Sequence, residues 1–298
     1  MTPGFDRQEP PGFIGLGVMG SGMAHCLLRQ GWQLQVFARR EEAARPLVAA
    51  GAQRAESPAA LAGACRLVFL CLSDDAAVEQ VLFGEAGLAP ALVRGGVVVD
   101  TSTIAATSAR AFAQRLAAQG VTFLDAPISG GQQGAESGTL ACMIGGPAQS
   151  VAALREVMGA FCKAITHVGD VGAGQAVKSC NQVAVAGALL GVADAVALAR
   201  SQGVDPQVMR EVLLGGTARS FVLEKHGQRV IDGDYQPGFR ARLMRKDLRI
   251  ALATARSGGA KLQGAVLAEQ LVGELCEGGR GELDWAALGL LVQEKGRA

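Results

Sequence analysis

The sequence predicts an α/β domain with a mostly parallel, doubly wound sheet, followed by an all-helical domain. Up to about residue 170, short apolar runs alternate with helical patterns, which is the order of elements that a parallel sheet requires. Beyond that point the patterns are helical and no alternating strand pattern recurs. We therefore expect one domain over residues 1–170 and a helical domain over residues 171–298, joined by a long helix.

The first predicted strand leads into a glycine-rich turn and then a helix. Residues 12–17 read GFIGLG, and the helical pattern that follows stops at Gly31. The spacing GxGxxG between a strand and a helix is typical of dinucleotide-binding folds, where the phosphates lie against the helix N-terminus. A glycine turn that binds nothing is the alternative. The candidate cofactor residues here are Gly15, Leu16, Gly17, Val18, Met19 and Gly20.

The end of the second predicted strand, Leu34–Phe37, indicates which dinucleotide would bind. An acidic residue about 20 positions after the glycines would hold the ribose hydroxyls of NAD(H), but this chain reads ARR over residues 38–40. The guanidinium groups of Arg39 and Arg40 could instead bind a 2′-phosphate. We predict NADP(H) over NAD(H), with solvated surface arginines as the alternative.

Three further apolar runs predict strands buried on both faces. They are Arg66–Leu72, Gly96–Asp100 and Val121–Leu124. Ligands of doubly wound folds bind where parallel strands end, so the residues that follow the strands are candidates for cofactor contact. Leu72, Ser73 and Thr103 lie at such ends. Helix capping is the competing role for Ser73 and Thr103.

A serine followed by paired glycines comes shortly after the predicted strand Val121–Leu124. Ser129, Gly130 and Gly131 would expose backbone N–H groups beside a hydroxyl, which suits a substrate carboxylate, although a purely structural turn fits equally well. The elements expected after this turn are a strand at Ala141–Ile144, a helix at Ser150–Phe161 and a strand at Ile165–Val168.

The long helix predicted within Gly169–Gln202 carries the most informative polar residues. Lys178, Asn181 and Gln182 stand at positions i, i+3 and i+4 and share one helix face. From Val183 to Ala199 apolar residues occupy nearly every face, which predicts a buried helix. This apolar stretch is shorter than the roughly 20 residues of a membrane span, so we expect a core or oligomer helix. Taken alone, Lys178 could be a lysine that extends from a helix end towards solvent.

The C-terminal half predicts an α-helical domain. Asp205 and Pro206 read as a cap and a first helical residue. Further helical patterns cover residues 219–232, 245–257, 263–277 and 284–294. Lys246 would stand at the head of its helix, and a solvated surface lysine is one role open to it. We expect Asp247 to stabilise the helix dipole.

Composition excludes several classes of function. The net charge of +1 is too small an excess of positive charge to predict binding to nucleic acid or to an anionic membrane. Seven cysteines and three histidines share no ligand spacing, so we expect reduced thiols and no metal site. No basic segment followed by an apolar segment opens the chain, and a cytoplasmic protein is expected.

Five motifs in order carry a resemblance to a known family. They are GFIGLGVMG (12–20), DTST (100–103), DAPISGG (125–131), GAGQAVKSCNQ (172–182) and RKDL (245–248). With these motifs, residues 12–298 resemble the β-hydroxyacid dehydrogenases, which include 3-hydroxyisobutyrate dehydrogenase and tartronate semialdehyde reductase. The resemblance implies a Rossmann-like N-terminal domain, an all-helical C-terminal domain and a homo-oligomer, either a dimer or a tetramer.

The resemblance also assigns residue roles. It implies that Lys178 is the catalytic acid/base and that Asn181 orients the lysine and the substrate. Ser129, Gly130 and Gly131 would bind the substrate carboxylate, with Gln182 as a further substrate residue. Thr103 and Lys246 would contact the cofactor.

One departure bears on the substrate. Many family members have two adjacent asparagines after the lysine, and here the second is Gln182. The pair Asn-Gln resembles the tartronate semialdehyde or glyoxylate-type reductases more than 3-hydroxyisobutyrate dehydrogenase. We expect an NADP(H)-preferring oxidoreductase acting on a small β-hydroxyacid/semialdehyde carboxylate, including the succinic semialdehyde type. NAD-dependent 3-hydroxyisobutyrate oxidation is the first alternative, and imine reduction is a weaker one. A dinucleotide-binding sensor without catalysis is the alternative from another class.

Overall fold

The chain forms two compact units in a computed structural model that describes residues 5–295. The first unit ends at Lys178 and the second begins at Ser179. A sheet with flanking helices makes up the first unit, and helices make up the second. The division falls inside one continuous helix, Ala173–Ser201, which starts in the first unit and continues through the second.

The first unit is built on a nine-stranded, mostly parallel sheet. Its strands are β1 (Gly12–Ile14), β2 (Gln35–Phe37), β3 (Gln53–Arg54), β4 (Leu67–Leu70), β5 (Val97–Asp100), β6 (Thr122–Asp125), β7 (Ile128–Ser129), β8 (Leu140–Gly145) and β9 (Cys162–Gly169). The order is β3-β2-β1-β4-β5-β6-β8-β7, and β9 pairs in parallel with β8. Only the pairs β6–β8 and β7–β8 are antiparallel among the described strands. The predicted α/β class with a mostly parallel sheet is confirmed.

The sequence patterns did not predict two of the strands and predicted only part of a third. β3 and β7 have two residues each, which is too short to show any periodicity. β9 has eight residues where four were predicted, because several of its side chains are exposed and break the apolar run. The predicted cores of β2, β4, β5, β6 and β8 are present within one or two residues at each end.

Seven helices cover the two faces of the sheet. They are α1 (Val18–Arg29), α2 (Glu41–Ala49), α3 (Pro58–Ala64), α4 (Asp75–Phe83), α5 (Ala106–Ala117), α6 (Gly131–Ser137) and α7 (Ala148–Met158). Successive strand residues contribute to different apolar clusters: Phe13 and Phe69 pack on one side of the sheet, Ile14 and Leu70 on the other. This alternation explains why the strands read as continuous apolar runs.

The second unit consists of helices. After α8 (Ala173–Ser201) come α9 (Pro206–Leu214), α10 (Gly227–Asp232), α11 (Ala241–Ser257), α12 (Gln263–Leu275) and α13 (Leu288–Lys295), with π-helical turns at Val222–His226 and Cys276–Arg280. Between Gly169 and residue 295 the described backbone contains one isolated bridge, Arg240 with Asp284, and no strand. The predicted helical C-terminal region is confirmed.

The predicted start of α11 was wrong. The helix begins at Ala241 rather than at residue 245, so Lys246 lies in its second turn and not at its head. The expected role of Asp247 in stabilising the helix dipole was also wrong. Asp247 lies beyond the first turn, where that effect fades, and is buried against other polar side chains.

The long helix α8 is less buried in the single chain than the sequence predicted. Ala186, Leu189 and Val196 pack into the core of the second unit, whereas Leu198 is 63% exposed. By length and composition α8 could cross a membrane, and 39% of its most apolar stretch is buried inside the protein. A single helix of this kind is weak evidence for a span, because core helices of globular proteins have the same properties.

Candidate active site

The glycine-rich turn between β1 and α1 leaves no room for side chains at two of its three glycines. Gly15 adopts φ +99°, and a Cβ there would lie 2.2 Å from the carbonyl oxygen of Cys71. A Cβ on Gly20 would lie 1.9 Å from the carbonyl oxygen of Gly15. Gly17 is exposed, with open space on its Cβ side. The geometry therefore matches a tight turn, an open approach for a phosphate and a close helix packing.

The carboxyl ends of β4 and β5 lie beside this turn and are joined by side-chain hydrogen bonds. The backbone N–H of Leu72 donates to Ser102 Oγ at 2.8 Å, which ties the two segments together. Asp74, rather than Ser73, caps α4 by accepting from the Ala77 N–H, and Ser73 Oγ donates to Asp74. Helix capping is therefore excluded as the role of Ser73.

Thr103 also caps no helix. Its hydroxyl lies in the loop between β5 and α5, and the N-cap position of α5 is Ala105. Arg39 and Arg40 lie between β2 and α2 and are both exposed. Glu41 and Glu42 follow in the first turn of α2, as predicted, where negative charge is favourable.

Lys178 contacts the residue that directly precedes the serine–glycine turn Ser129–Gly131. It is buried, at 8% exposure, and its Nζ donates to the carbonyl oxygen of Ile128 at 2.9 Å. Ile128 directly precedes Ser129, so the structure brings the amine to the serine–glycine turn. Gly130 and Gly131 adopt φ +133° and φ +63°, conformations that other residues rarely adopt.

Asp125, at the end of β6, holds the first turn of α8. Its carboxylate accepts from the Gly172 N–H at 2.7 Å and from the Gln175 N–H at 2.8 Å. These donors are among the N–H groups that a helix start leaves without helical partners. Burial raises the pKa of Asp125 and the two backbone hydrogen bonds oppose that rise. The helix that carries Lys178 is thus fixed to the sheet three residues before the lysine.

Gln175 connects the same helix turn to the loop after β5. Its Nε2 donates to the carbonyl oxygen of Ser102 at 2.8 Å, and its Oε1 accepts from the Ile104 N–H at 3.2 Å. Gln175 is 1% exposed, so both hydrogen bonds are shielded from water. Thr103 lies between the two anchored residues. The loop of the predicted cofactor residue Thr103 is therefore held by the helix that carries Lys178.

Asp100 is a buried residue at the end of β5, where this loop begins. Its Oδ1 accepts from the Ser102 N–H at 3.0 Å, while no hydrogen-bond partner reaches Oδ2 among the described residues. Burial raises the pKa of Asp100 to about 7, and the hydrogen bonds to Ser102 oppose the rise. The nearby carboxylates of Asp125 and Asp75 raise it further.

In the second unit, four of the polar side chains form a continuous series. Asn181 Nδ2 donates to Gln182 Oε1 at 2.8 Å, and Gln182 Nε2 donates to Asp247 Oδ2 at 2.6 Å. Lys246 Nζ lies 3.1 Å from the other oxygen of Asp247. Gln182 and Asp247 are both buried. The amide of Gln182, expected to contact the substrate, is thus occupied by protein groups.

Several residues that make the hydrogen bonds described above have no role predicted from the sequence. These are Asp100, Ser102, Asp125, Gln175 and, apart from the dipole role, Asp247. All five stand inside the five motifs, but a motif by itself does not indicate which of its members contact each other.

No group of three or more potential metal-ligating side chains occurs within residues 5–295. All seven cysteines are free thiols, and burial raises the pKa of Cys65 to about 12. The residues of the first unit fit a dinucleotide instead: at Gly17 the backbone is open to a phosphate, and α1 begins at the next residue.

Comparison with known proteins identifies the two halves of the chain separately. Residues 11–169 match the family model described as the NAD binding domain of 6-phosphogluconate dehydrogenase. Residues 172–291 match the model described as NAD-binding of NADP-dependent 3-hydroxyisobutyrate dehydrogenase.

Individual relatives match over most of their length. The 2-hydroxy-3-oxopropionate reductase of Escherichia coli (strain K12) is 38% identical over 277 residues, which cover 93% of this chain and 94% of the relative. The 3-hydroxyisobutyrate dehydrogenase of Pseudomonas aeruginosa is 38% identical over 266 residues, covering 87% and 89%. The crystal structure of 3-hydroxyisobutyrate dehydrogenase from Salmonella typhimurium superposes with a TM-score of 0.86 at 31% identity, covering 94% of this chain and 99% of that one. The chain belongs to the β-hydroxyacid dehydrogenase family, the NAD(P)-dependent oxidoreductases that act on CH–OH groups.

Proposed function

We propose that this enzyme is an NADP(H)-preferring reductase of a small semialdehyde that carries a carboxylate, of the tartronate semialdehyde or glyoxylate type. The observation that carries the proposal is the hydrogen bond from Lys178 to Ile128, which holds a buried amine beside Ser129, Gly130 and Gly131. An acid/base group and a carboxylate cradle are what the reduction of such a substrate requires.

A hydride and a proton together convert the aldehyde to an alcohol. A nicotinamide cofactor, when bound, would supply the hydride that the aldehyde carbon accepts. Lys178 gives the proton from Nζ to the aldehyde oxygen, so that an alcohol forms and a neutral amine remains to be reprotonated from water. Ser129 Oγ and the backbone N–H groups of Gly130 and Gly131 would bind the carboxylate, and Asn181 would orient the reacting groups. Burial of Lys178 supports this role, because it holds the amine beside Ser129 and away from bulk water.

The preference for NADP(H) rests on the end of β2. Arg39 and Arg40 are exposed there, and no carboxylate occupies the position that would repel a 2′-phosphate. Leu72, Ser73 and Thr103, at the ends of β4 and β5, would lie along the cofactor, and Lys246 is a further proposed cofactor contact. NAD(H) is the alternative cofactor.

NAD-dependent oxidation of 3-hydroxyisobutyrate is the second candidate. It is favoured by the Pseudomonas aeruginosa dehydrogenase, which is as similar in sequence as the Escherichia coli reductase. Gln182, in place of the second asparagine frequent in the family, favours the reductase.

Two measurements test the function. NADPH oxidation is followed with glyoxylate, tartronate semialdehyde, succinic semialdehyde and methylmalonate semialdehyde, and repeated with NADH. Oxidation of 3-hydroxyisobutyrate is followed with both oxidised cofactors. Turnover with NADPH on a semialdehyde supports the proposal. Preferential turnover of 3-hydroxyisobutyrate with NAD supports the second candidate, and binding of NADPH without turnover contradicts both.

We further propose that the enzyme is a cytoplasmic homo-oligomer, with residues 1–170 binding the dinucleotide and residues 171–298 serving the substrate and the assembly. Large apolar side chains remain exposed in the second unit, including Leu198 (63%), Val212 (69%) and Phe221 (62%). Association of chains would remove such surface from water. Light scattering tests this, and a monomer at micromolar concentration would contradict it.

A further inference from the structure

The series of polar side chains in the second unit has a direction. At one end stands the carboxylate of Asp247, paired with Lys246 at 3.1 Å. In the middle is Gln182, and at the other end is Asn181. An ionised carboxylate can only accept hydrogen bonds, whereas an amide side chain donates from its nitrogen and accepts at its oxygen.

We infer that Asp247 is a positioning residue that sets the orientation of the Asn181 amide through Gln182. This inference rests on the proposed role of Asn181 in catalysis. Because Asp247 only accepts, Gln182 must turn its Nε2 towards the carboxylate, and its Oε1 then points the opposite way. That oxygen also only accepts, so Asn181 must present its Nδ2 to it.

The consequence is a defined polarity at Asn181. With Nδ2 directed to Gln182, the Oδ1 atom is directed away from Gln182. Asn181 therefore presents a hydrogen-bond acceptor on the side away from Gln182, which suits a donor such as a hydroxyl or an ammonium group. The opposite orientation would offer a donor and would suit a carbonyl oxygen.

The series Asp247–Gln182–Asn181 is a hydrogen-bond relay. Gln182 is its middle member and connects the other two, rather than acting as a substrate ligand. Its Nε2 donates to Asp247 at 2.6 Å and lies 3.9 Å from Met244 Sδ, and its Oε1 accepts from Asn181. The residue is only 4% exposed. Asparagine at this position is shorter by one methylene group, so it could not span the same two partners without movement of the backbone.

The relay is tested with a double-mutant cycle on kcat, measured with the best semialdehyde and saturating NADPH. Asp247→Asn removes the acceptor-only group, since an amide can face Gln182 in either orientation. We expect kcat to fall by roughly tenfold or more with the dissociation constant of NADPH within threefold. In an Asn181→Ala background, Asp247→Asn should change kcat by less than about twofold.

Two further variants separate the relay from general damage. Gln182→Met breaks the relay but leaves the Lys246–Asp247 pair, and it should lower kcat as Asp247→Asn does. Asp284→Asn is the matched control: Asp284 is a buried aspartate of the same unit, ion-paired with Arg229 at 2.9 Å. It should lower the melting temperature and leave kcat within twofold.

The outcomes are distinct. If Asp247→Asn lowers kcat by the same factor with and without Asn181, it acts through Lys246 or the fold, and the inference is overturned. It is also overturned if only the melting temperature falls. The side-chain amide resonances of Asn181, assigned with Asn181→Ala, give a readout that needs no turnover. They should shift in Asp247→Asn and stay in place in Asp284→Asn, and unchanged resonances in Asp247→Asn would refute the relay even if no semialdehyde is reduced.

Discussion

The side-chain amide of Gln175 donates to the carbonyl oxygen of Ser102 at 2.8 Å across 73 residues of sequence. The same amide accepts from the Ile104 N–H, so it holds both ends of the segment that contains Thr103. Gln175 lies three residues before Lys178 on α8. The proposed cofactor loop and the proposed acid/base are therefore fixed to one helix turn.

Replacing Gln175 with methionine should weaken both stability and cofactor binding. The methionine keeps the volume of the side chain but leaves a buried N–H and a buried C=O without partners, which costs about 1–3 kcal/mol each. We expect the melting temperature to fall and the dissociation constant of NADPH to rise, as measured by thermal unfolding and fluorescence titration. Gln114→Met, on the exposed side of α5, is the control and should change neither. Unaltered NADPH affinity in Gln175→Met would contradict a role in holding the loop.

Removal of the Lys178 amine should abolish most of the proton transfer. We expect Lys178→Ala to lower kcat by about 10²–10⁴-fold, the usual contribution of general acid–base catalysis, while NADPH still binds. Steady-state kinetics and fluorescence titration measure the two effects separately. Lys163→Ala, an exposed lysine of β9, should retain normal turnover. Near-normal kcat in Lys178→Ala would show that another group carries the proton.

Removal of the Arg39 guanidinium should affect NADPH more than NADH. Charge-assisted hydrogen bonds to the 2′-phosphate are lost, so the dissociation constant of NADPH should rise roughly ten- to a hundredfold. NADH lacks that phosphate, and its affinity should change less than threefold. Titration of both cofactors against Arg39→Ala, with Arg94→Ala as the exposed control, measures the difference. Equal losses for the two cofactors would indicate a general effect of charge.

Asp100 should make stability depend on pH. Its folded-state pKa of about 7 lies above the value near 4 of an unfolded aspartate, so the folded state binds the proton more tightly. The resulting stability is fully present below about pH 4 and is lost as pH rises through about 7. Asp100→Asn keeps an oxygen for the Ser102 N–H but cannot ionise.

The variant should therefore become more stable than the wild type between about pH 5 and pH 8, by about 1–4 kcal/mol at the upper end. Thermal unfolding without cofactor at pH 5, 6, 7 and 8 measures the difference. Asp170→Asn, at an exposed position, should follow the wild-type curve. Parallel curves for Asp100→Asn and the wild type would show that the carboxyl group titrates normally.

Local patterns were sufficient for much of this protein. The turn at Gly15, Gly17 and Gly20 is recognisable because it needs particular backbone angles and close approaches, which only glycine allows. The strands of the first unit are visible because a parallel sheet buries both faces. The shared face of Lys178, Asn181 and Gln182 follows from the period of a helix, which is continuous over all three residues. Family membership follows from the order of the motifs.

The contacts between motifs were decided by the tertiary structure. Asp100 and Asp125 become neighbours because β5 and β6 pair in one register, and Asp125 then meets the start of α8. The contact of Gln182 with Asp247 joins positions 65 residues apart. An aspartate looks the same in a sequence whether it stabilises a helix dipole or fixes an amide, because its role depends on which donors the folded chain brings to it. The sequence by itself determined the elements and the chemical groups, and long-range packing decided which of those groups act on each other.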